Sequence, residues 1–220
     1  MKKMKHSKID WKSKIIDFFI VIIGITIAFQ LNTCREGDRT KAQVRHYTES
    51  FFNENQENIS TISTSLATLE YRKSQMDTLQ KLFRTRQYAN PKIGKISATL
   101  TNNIDYRPLT ITMDYITESG DLDLIEDFEL RKQLVKTYES LERLDRTEEL
   151  FNDFIKEYVT PYFFNKVRYT TLYPVDEIDF ITDHRLENII TAYYGYLESQ
   201  IKQNVYTLKE LKTLDRLLEQ

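Results

Sequence analysis

An apolar run close to the start of the chain, Ile15 to Leu31, constrains this sequence more than any other feature. Its uninterrupted part, Phe18 to Phe29, reads FFIVIIGITIAF, without a charge or a proline. As a helix, the whole run spans roughly 25 Å at about 1.5 Å per residue, against a hydrocarbon core of about 30 Å. Lys12 and Lys14 lengthen that reach by snorkelling. Everything after it is polar and helix-patterned. The expected fold is therefore all-α: an N-terminal transmembrane helix, then an elongated antiparallel bundle of three long helices plus one short helix.

The charges around the run set an orientation. Lys2, Lys3, Lys5, Lys8, Lys12 and Lys14 precede it, whereas Arg35, Arg39, Lys41 and Arg45 follow it beside Glu36 and Asp38. The excess of Lys and Arg before the span favours an N-terminus in the cytoplasm. The organisation expected is a basic cytoplasmic tail over 1–14, the span over 15–31, a juxtamembrane connector over 32–41 and an extracytoplasmic helical domain over 42–220. In a double-membraned bacterium this is a single-pass inner-membrane protein with a periplasmic domain. A cleaved signal peptide would need an A-x-A site, and the chain has Ala28, Phe29 and Gln30 there. Leu31-Asn32-Thr33-Cys34 only loosely matches a lipoprotein box. Cys34 is the sole cysteine, so it makes no intrachain disulfide.

Composition narrows the soluble part. With 220 residues, a net charge of −2 and 40% hydrophobic residues, the chain can form one soluble core besides the span. Five glycines and four prolines are too few for an all-β sandwich, and fourteen Tyr with twelve Phe argue for packing over disorder. The charge is near balance and no basic stripe is present, which argues against nucleic acid as a main partner.

Heptad spacing marks the first long helix, about Ala42 to Arg86. Ile62, Leu69, Met76 and Phe83 fall seven apart, Ile59 and Leu66 fill the alternate seam, and Lys73 and Gln80 interrupt it. Tyr88 to Ile111, with Pro91, Gly94 and Pro108, reads as a connector. A short helix over Thr112 to Ser119 ends at Gly120, and Asp127 caps the next helix with Glu129 in its first turn. That helix carries Leu130, Leu134, Tyr138, Leu141, Leu144, Phe151 and Ile155 on one face, and Pro161 is expected to stop it. An aromatic connector follows, and Asp183 or Thr182 caps a final helix to about Leu218.

Two segments resemble a known family. Ile23-Gly24-Ile25-Thr26-Ile27-Ala28-Phe29-Gln30-Leu31-Asn32, preceded by Asp17, is similar to the anchor of a large uncharacterised family of single-pass Bacteroidota membrane proteins, in which an acidic residue precedes V-I-G-I-x-I-A-x-Q-I-N-N-W-N-E. Tyr115 to Ile125, with Leu130-Arg131 and Tyr138, resembles a second segment of that family. Thr33 and Cys34 stand where Asn-Trp recurs. The resemblance implies a domain of unknown function and no catalytic residues.

Signatures of chemistry are weak. His6, His46 and His184 are scattered, without metal-ligand spacing. There is no phosphate loop and no nucleophile elbow, and the acidic residues from Glu118 to Glu129 lack a calcium-loop arrangement. The expectation is a non-enzyme without cofactor or metal. Its partners are the lipid bilayer and a protein partner or a second copy. Gly24 and Ala28 offer a small-xxx-small dimer face in the anchor, and Asp17 and Gln30 sit at its ends. If the second long helix returned toward the membrane, the aromatic loop with Tyr162, Phe163, Phe164, Tyr169 and Tyr173 would be membrane-proximal. The alternatives are an envelope enzyme with carboxylates such as Glu142 and Glu149, or a small-ligand sensor using Tyr193, Tyr194 and Tyr196.

Overall fold

The computed structural model describes residues 11–219 except 169 and 172, and the described structure is all-α apart from one two-residue strand pair. The elements are α1 (Trp11–Arg84), α2 (Lys92–Thr99), α3 (Ile111–Ser119), α4 (Phe128–Phe154), α5 (Thr160–Lys166), α6 (Glu177–Thr182) and α7 (His184–Leu218). A 3₁₀ turn at Asp121–Leu124 links α3 to α4, and a π-helical turn at Ile155–Val159 joins α4 to α5. Strands β1 (Val167–Arg168) and β2 (Tyr173–Pro174) pair antiparallel. The basic tail over 1–10, Tyr169 and the side chains of Lys12, Lys14 and Asp17 lie outside the described residues.

The chain divides into two compact units, Met1–Tyr47 and Thr48–Gln220. In the first, α1 is unbroken, so the segment 32–41 is itself helical. From Phe18 to Leu31 every side chain is exposed. This helix is long and apolar enough to cross a membrane by length and composition.

In the second unit, the heptad stripe forms the seam. Ile62, Leu69 and Met76 are fully buried, as are Leu134, Leu141, Leu144, Phe151 and Ile155 of the α4 face. Helix α7 runs antiparallel to both long partners. Its residues Leu211, Glu198 and Tyr193 meet Asn55, Lys73 and Arg72 of α1 in turn. Glu210, Thr207 and Tyr193 meet Gln133, Ser140 and Phe151 of α4. Helix α4 therefore runs in the same direction as the 48–84 part of α1, rather than returning beside it. The return is made by the extended residues 102–110, placed by Arg72 at Asn102 and Asn58 at Leu109.

Two expectations change. Among the described residues there are four short helices, α2, α3, α5 and α6, instead of one; the first lies inside the expected Tyr88–Ile111 connector and buries Ile93 and Ile96. Pro161 does not stop the second long helix. The amide of Thr160 reaches back five residues to Ile155 in the wide π turn, and Pro161 falls in the first turn of α5, where a missing N–H costs nothing. The expected caps do form. Asp127 accepts from the amides of Glu129 and Leu130, Asp183 from that of Arg185, and Gly120 takes the left-handed φ of 74°.

Candidate functional site

The expected site residues are distributed as follows. Gly24 and Ala28 lie on exposed helix surface, and a methyl group added at Gly24 would meet nothing within 4 Å. Gln30 is exposed as well. The aromatic loop splits into two sets. Tyr162 and Phe163 are buried with Phe180 in the main apolar cluster beside Leu79, Leu82 and Ile93, whereas Phe164 and Tyr173 are exposed. The loop thus packs where α1 finishes, at the other end of this unit from Thr48. Lys166 is engaged there by Asp179 and Asp183, and Arg185 by Asp183. The two contacts and its cap role hold Asp183 below the ordinary carboxylate range, the side-chain bond from Arg185 contributing most.

The residues weighed for the enzyme and sensor alternatives do not converge. Glu142 and Glu149 are exposed, Glu142 pairing with Arg146 one turn on. Tyr193 is buried edge-on against Phe151, Tyr196 stacks on Phe151 and Phe154, and Tyr194 lies under the Lys73 ammonium. Among the described residues no group of three or more His, Cys, Asp and Glu side chains is placed to hold a metal.

What the structure does assemble is a polar half of the seam, and this was not foreseen from the sequence. Toward the Thr48 end, seam positions carry Asn55, Asn58, Thr137, Ser140, Gln200, Asn204, Thr207 and Glu210, all buried. Toward the other end the seam is aromatic and aliphatic. Glu210 illustrates how a charge is tolerated there. Burial works to raise its pKa, but bonds from Gln133 (3.0 Å) and Lys136 (3.0 Å) outweigh it and the group lies below its usual value. Asn55 Oδ1, Asn204 Oδ1 and both polar atoms of the Gln200 carboxamide are buried without a hydrogen-bond partner. Such groups are costly and rare in folded interiors.

One of these polar positions, Asn58, together with other side chains of α1 and α4, holds the extended segment 102–110, here called the strap. Its backbone belongs to no sheet, so the polar groups need other partners. Side chains of α1 and α4 supply them. Asn152 clamps Ile104 from both sides, accepting from its amide at 2.9 Å and donating to its carbonyl at 2.7 Å. Asn58 does the same to Leu109, at 2.9 Å each way. Glu54 accepts from both the amide and the hydroxyl of Thr112 at 2.9 Å, and from Tyr138 Oη. Arg72 donates to the carbonyls of Asn102 and Asn103. Pro108 keeps Arg107 extended, and the period-two alternation buries Ile104 and Tyr106 while Asp105 and Arg107 face solvent.

Between these clamps Tyr106 is held by one group, its amide donating to Glu148 Oε1 at 2.8 Å. Glu148 is 6% exposed and its Oε2 has no partner; Tyr106 Oη, also buried, has none either. Burial pushes the Glu148 pKa up to about 7, helped by the charges of Asp145 and Asp105 and opposed by the Tyr106 amide and Arg107. Burial likewise raises the Tyr106 phenol, with Glu148 adding to it. Beside the strap, Thr61, Ser65, Thr68, Arg72 and Tyr106 line a surface groove of about 350 Å³.

Comparison with family models, with curated proteins and with solved structures finds no match to this chain.

Proposed function

We propose that this chain is a membrane-anchored interaction domain without catalytic activity: a single helix holds it in the inner membrane of a double-membraned bacterium, N-terminus inside, and the helical unit beyond docks a protein partner or a second copy. The carrying observation is the contrast between α1's two parts. Phe18 to Leu31 leaves every apolar side chain uncovered, whereas the part after Thr48 buries its apolar stripe against α4 and α7. A fully apolar face without protein cover needs lipid or another helix. The anchor pattern from Asp17 to Asn32 supports membership of the Bacteroidota family it resembles. Gly24 and Ala28, with open space around Gly24, are the face through which two anchors would pair. Of the side chains that an enzyme or sensor would use, Glu142 pairs with Arg146, Glu149 faces outward, and Tyr193 and Tyr196 pack on Phe151.

Cys34 gives a direct test, because it is exposed and is the only cysteine. In cells with a permeabilised outer membrane and an intact inner one, a membrane-impermeant maleimide should label it. Labelling only after inner-membrane lysis would reverse the orientation. Crosslinking the full chain in the same cells should give one reproducible adduct, with a membrane protein or with itself. A chain that stays uncrosslinked would remove the docking reading.

A further inference from the structure

We propose that the strap is a pH-operated latch lying between α1 and α4, with the buried carboxyl of Glu148 as its pin: loss of the Glu148 proton frees the strap at Tyr106, and it bows outward between the clamps at Ile104 and Leu109.

The asymmetry among the strap's contacts supports this. Asn152 and Asn58 are neutral carboxamides that hold Ile104 and Leu109 by two bonds each and do not titrate. Tyr106, midway, hangs on one carboxyl oxygen. While Glu148 is protonated, Oε1 accepts the amide and the buried group is neutral; ionisation strengthens that one bond, but burial of the charge outweighs it. Once ionised, Glu148 becomes a buried anion whose second oxygen has no donor.

The surrounding charges do not rescue it. From α4, Asp145 repels it; from the strap, Asp105 repels and Arg107 attracts, and Arg107 is an exposed side chain 3.6 Å from Asp105. From α1, Arg72 is committed to the carbonyls of Asn102 and Asn103, and Glu54 is occupied by Thr112 and Tyr138. On α7, Tyr193 has its hydroxyl on Arg72, and Glu210, paired with Lys136 and Gln133 near the start of α4, is not among the charges acting on Glu148. The Tyr106 phenol, its acidity weakened by burial, stays neutral throughout. Outward movement of the strap lets water reach the carboxylate.

The sign follows from linkage. The closed form holds its proton up to about 7, and the open form releases it at the ordinary 4.5. Closure is therefore strongest at low pH and is lost as pH rises from 4.5 through 7.

Hydrogen exchange on the full chain in lipid nanodiscs tests this, with intrinsic rates divided out. The protection of the Tyr106 amide should fall roughly tenfold or more between pH 5 and pH 8, while the amides of α4 and α7 keep theirs. Glu148→Gln should abolish the fall. A flat wild-type profile, or the same fall in Glu148→Gln, overturns the latch. Should that variant fail to fold, Asp105→Asn serves instead, since its side chain is 83% exposed. Removing a charge that raises Glu148 should move the midpoint to lower pH, and an unmoved midpoint overturns the proposal equally.

Discussion

Asn58 is buried where the heptad pattern places its apolar seam at the next residue, Ile59, and its carboxamide has a defined task. It satisfies both backbone groups of Leu109, neither of which has a strand partner. Asn58→Ala leaves a part-buried donor and acceptor together, so it should destabilise the second unit by about 2 kcal/mol, read as a lowered urea midpoint with an unchanged slope. Glu210 is the charged counterpart. Its folded pKa lies below the ordinary 4.5, so its contribution is present above 4.5 and disappears as pH falls below it. Lys136→Met removes one of the two donors that outweigh burial. Stability of that variant should be lower at pH 7 and should depend less on pH on the acid side, as followed by thermal melts from pH 3 to pH 7. At this scale the sequence displays polar residues at seam positions but hides their partners. Leu109 lies 51 residues from Asn58 and Tyr106 lies 42 from Glu148, and no local pattern links them.

Among the elements, those with a repeating apolar period are legible and those without one are not. The faces of α4 and α7 follow from spacings of three and four, and their starts from Asp127 and Asp183, because a carboxylate that accepts the first free amides leaves a local signature. The strap leaves none: it is one extended segment pinned by distant side chains, with only its two-residue alternation to betray it. The junction of α4 and α5 misleads for a different reason, since a π turn admits Pro161 where an α-helical register would have ended. The end of α1 carries an unused opportunity. The amide of Gln87 reaches the carbonyl of Leu82 and that of Arg86 reaches Phe83, the double bond of a Schellman cap, with Arg86 at φ 55° in the position where glycine is usual. An L-residue pays a steric penalty there that exceeds glycine's entropic one. Arg86→Gly should stabilise the second unit by about 0.5–1 kcal/mol, seen as a raised melting temperature with unchanged helicity by circular dichroism.

For the whole molecule the deciding question is what covers Phe18 to Leu31. The second unit hides its apolar stripe with its own helices, and the described residues bury none of the side chains from Phe18 to Leu31. In water so much exposed apolar surface would drive aggregation; in a bilayer the same side chains are solvated and the helix's own hydrogen bonds satisfy its backbone. Thr26, the hydroxyl residue within this stretch, bonds back to the carbonyl of Ile22 as exposed threonines of the second unit do, so it adds no unsatisfied donor. A cation at the middle of the span then carries a penalty of about 3 kcal/mol, which a span near the short end of the range can ill tolerate. Ile25→Arg should move the full chain from the alkaline-carbonate pellet toward the soluble or degraded fraction. Val205→Arg, at a half-exposed apolar position of α7, should leave it in the pellet. Equal pelleting of both variants would mean that the second unit alone holds the chain to the membrane, and the anchor would have to be sought there.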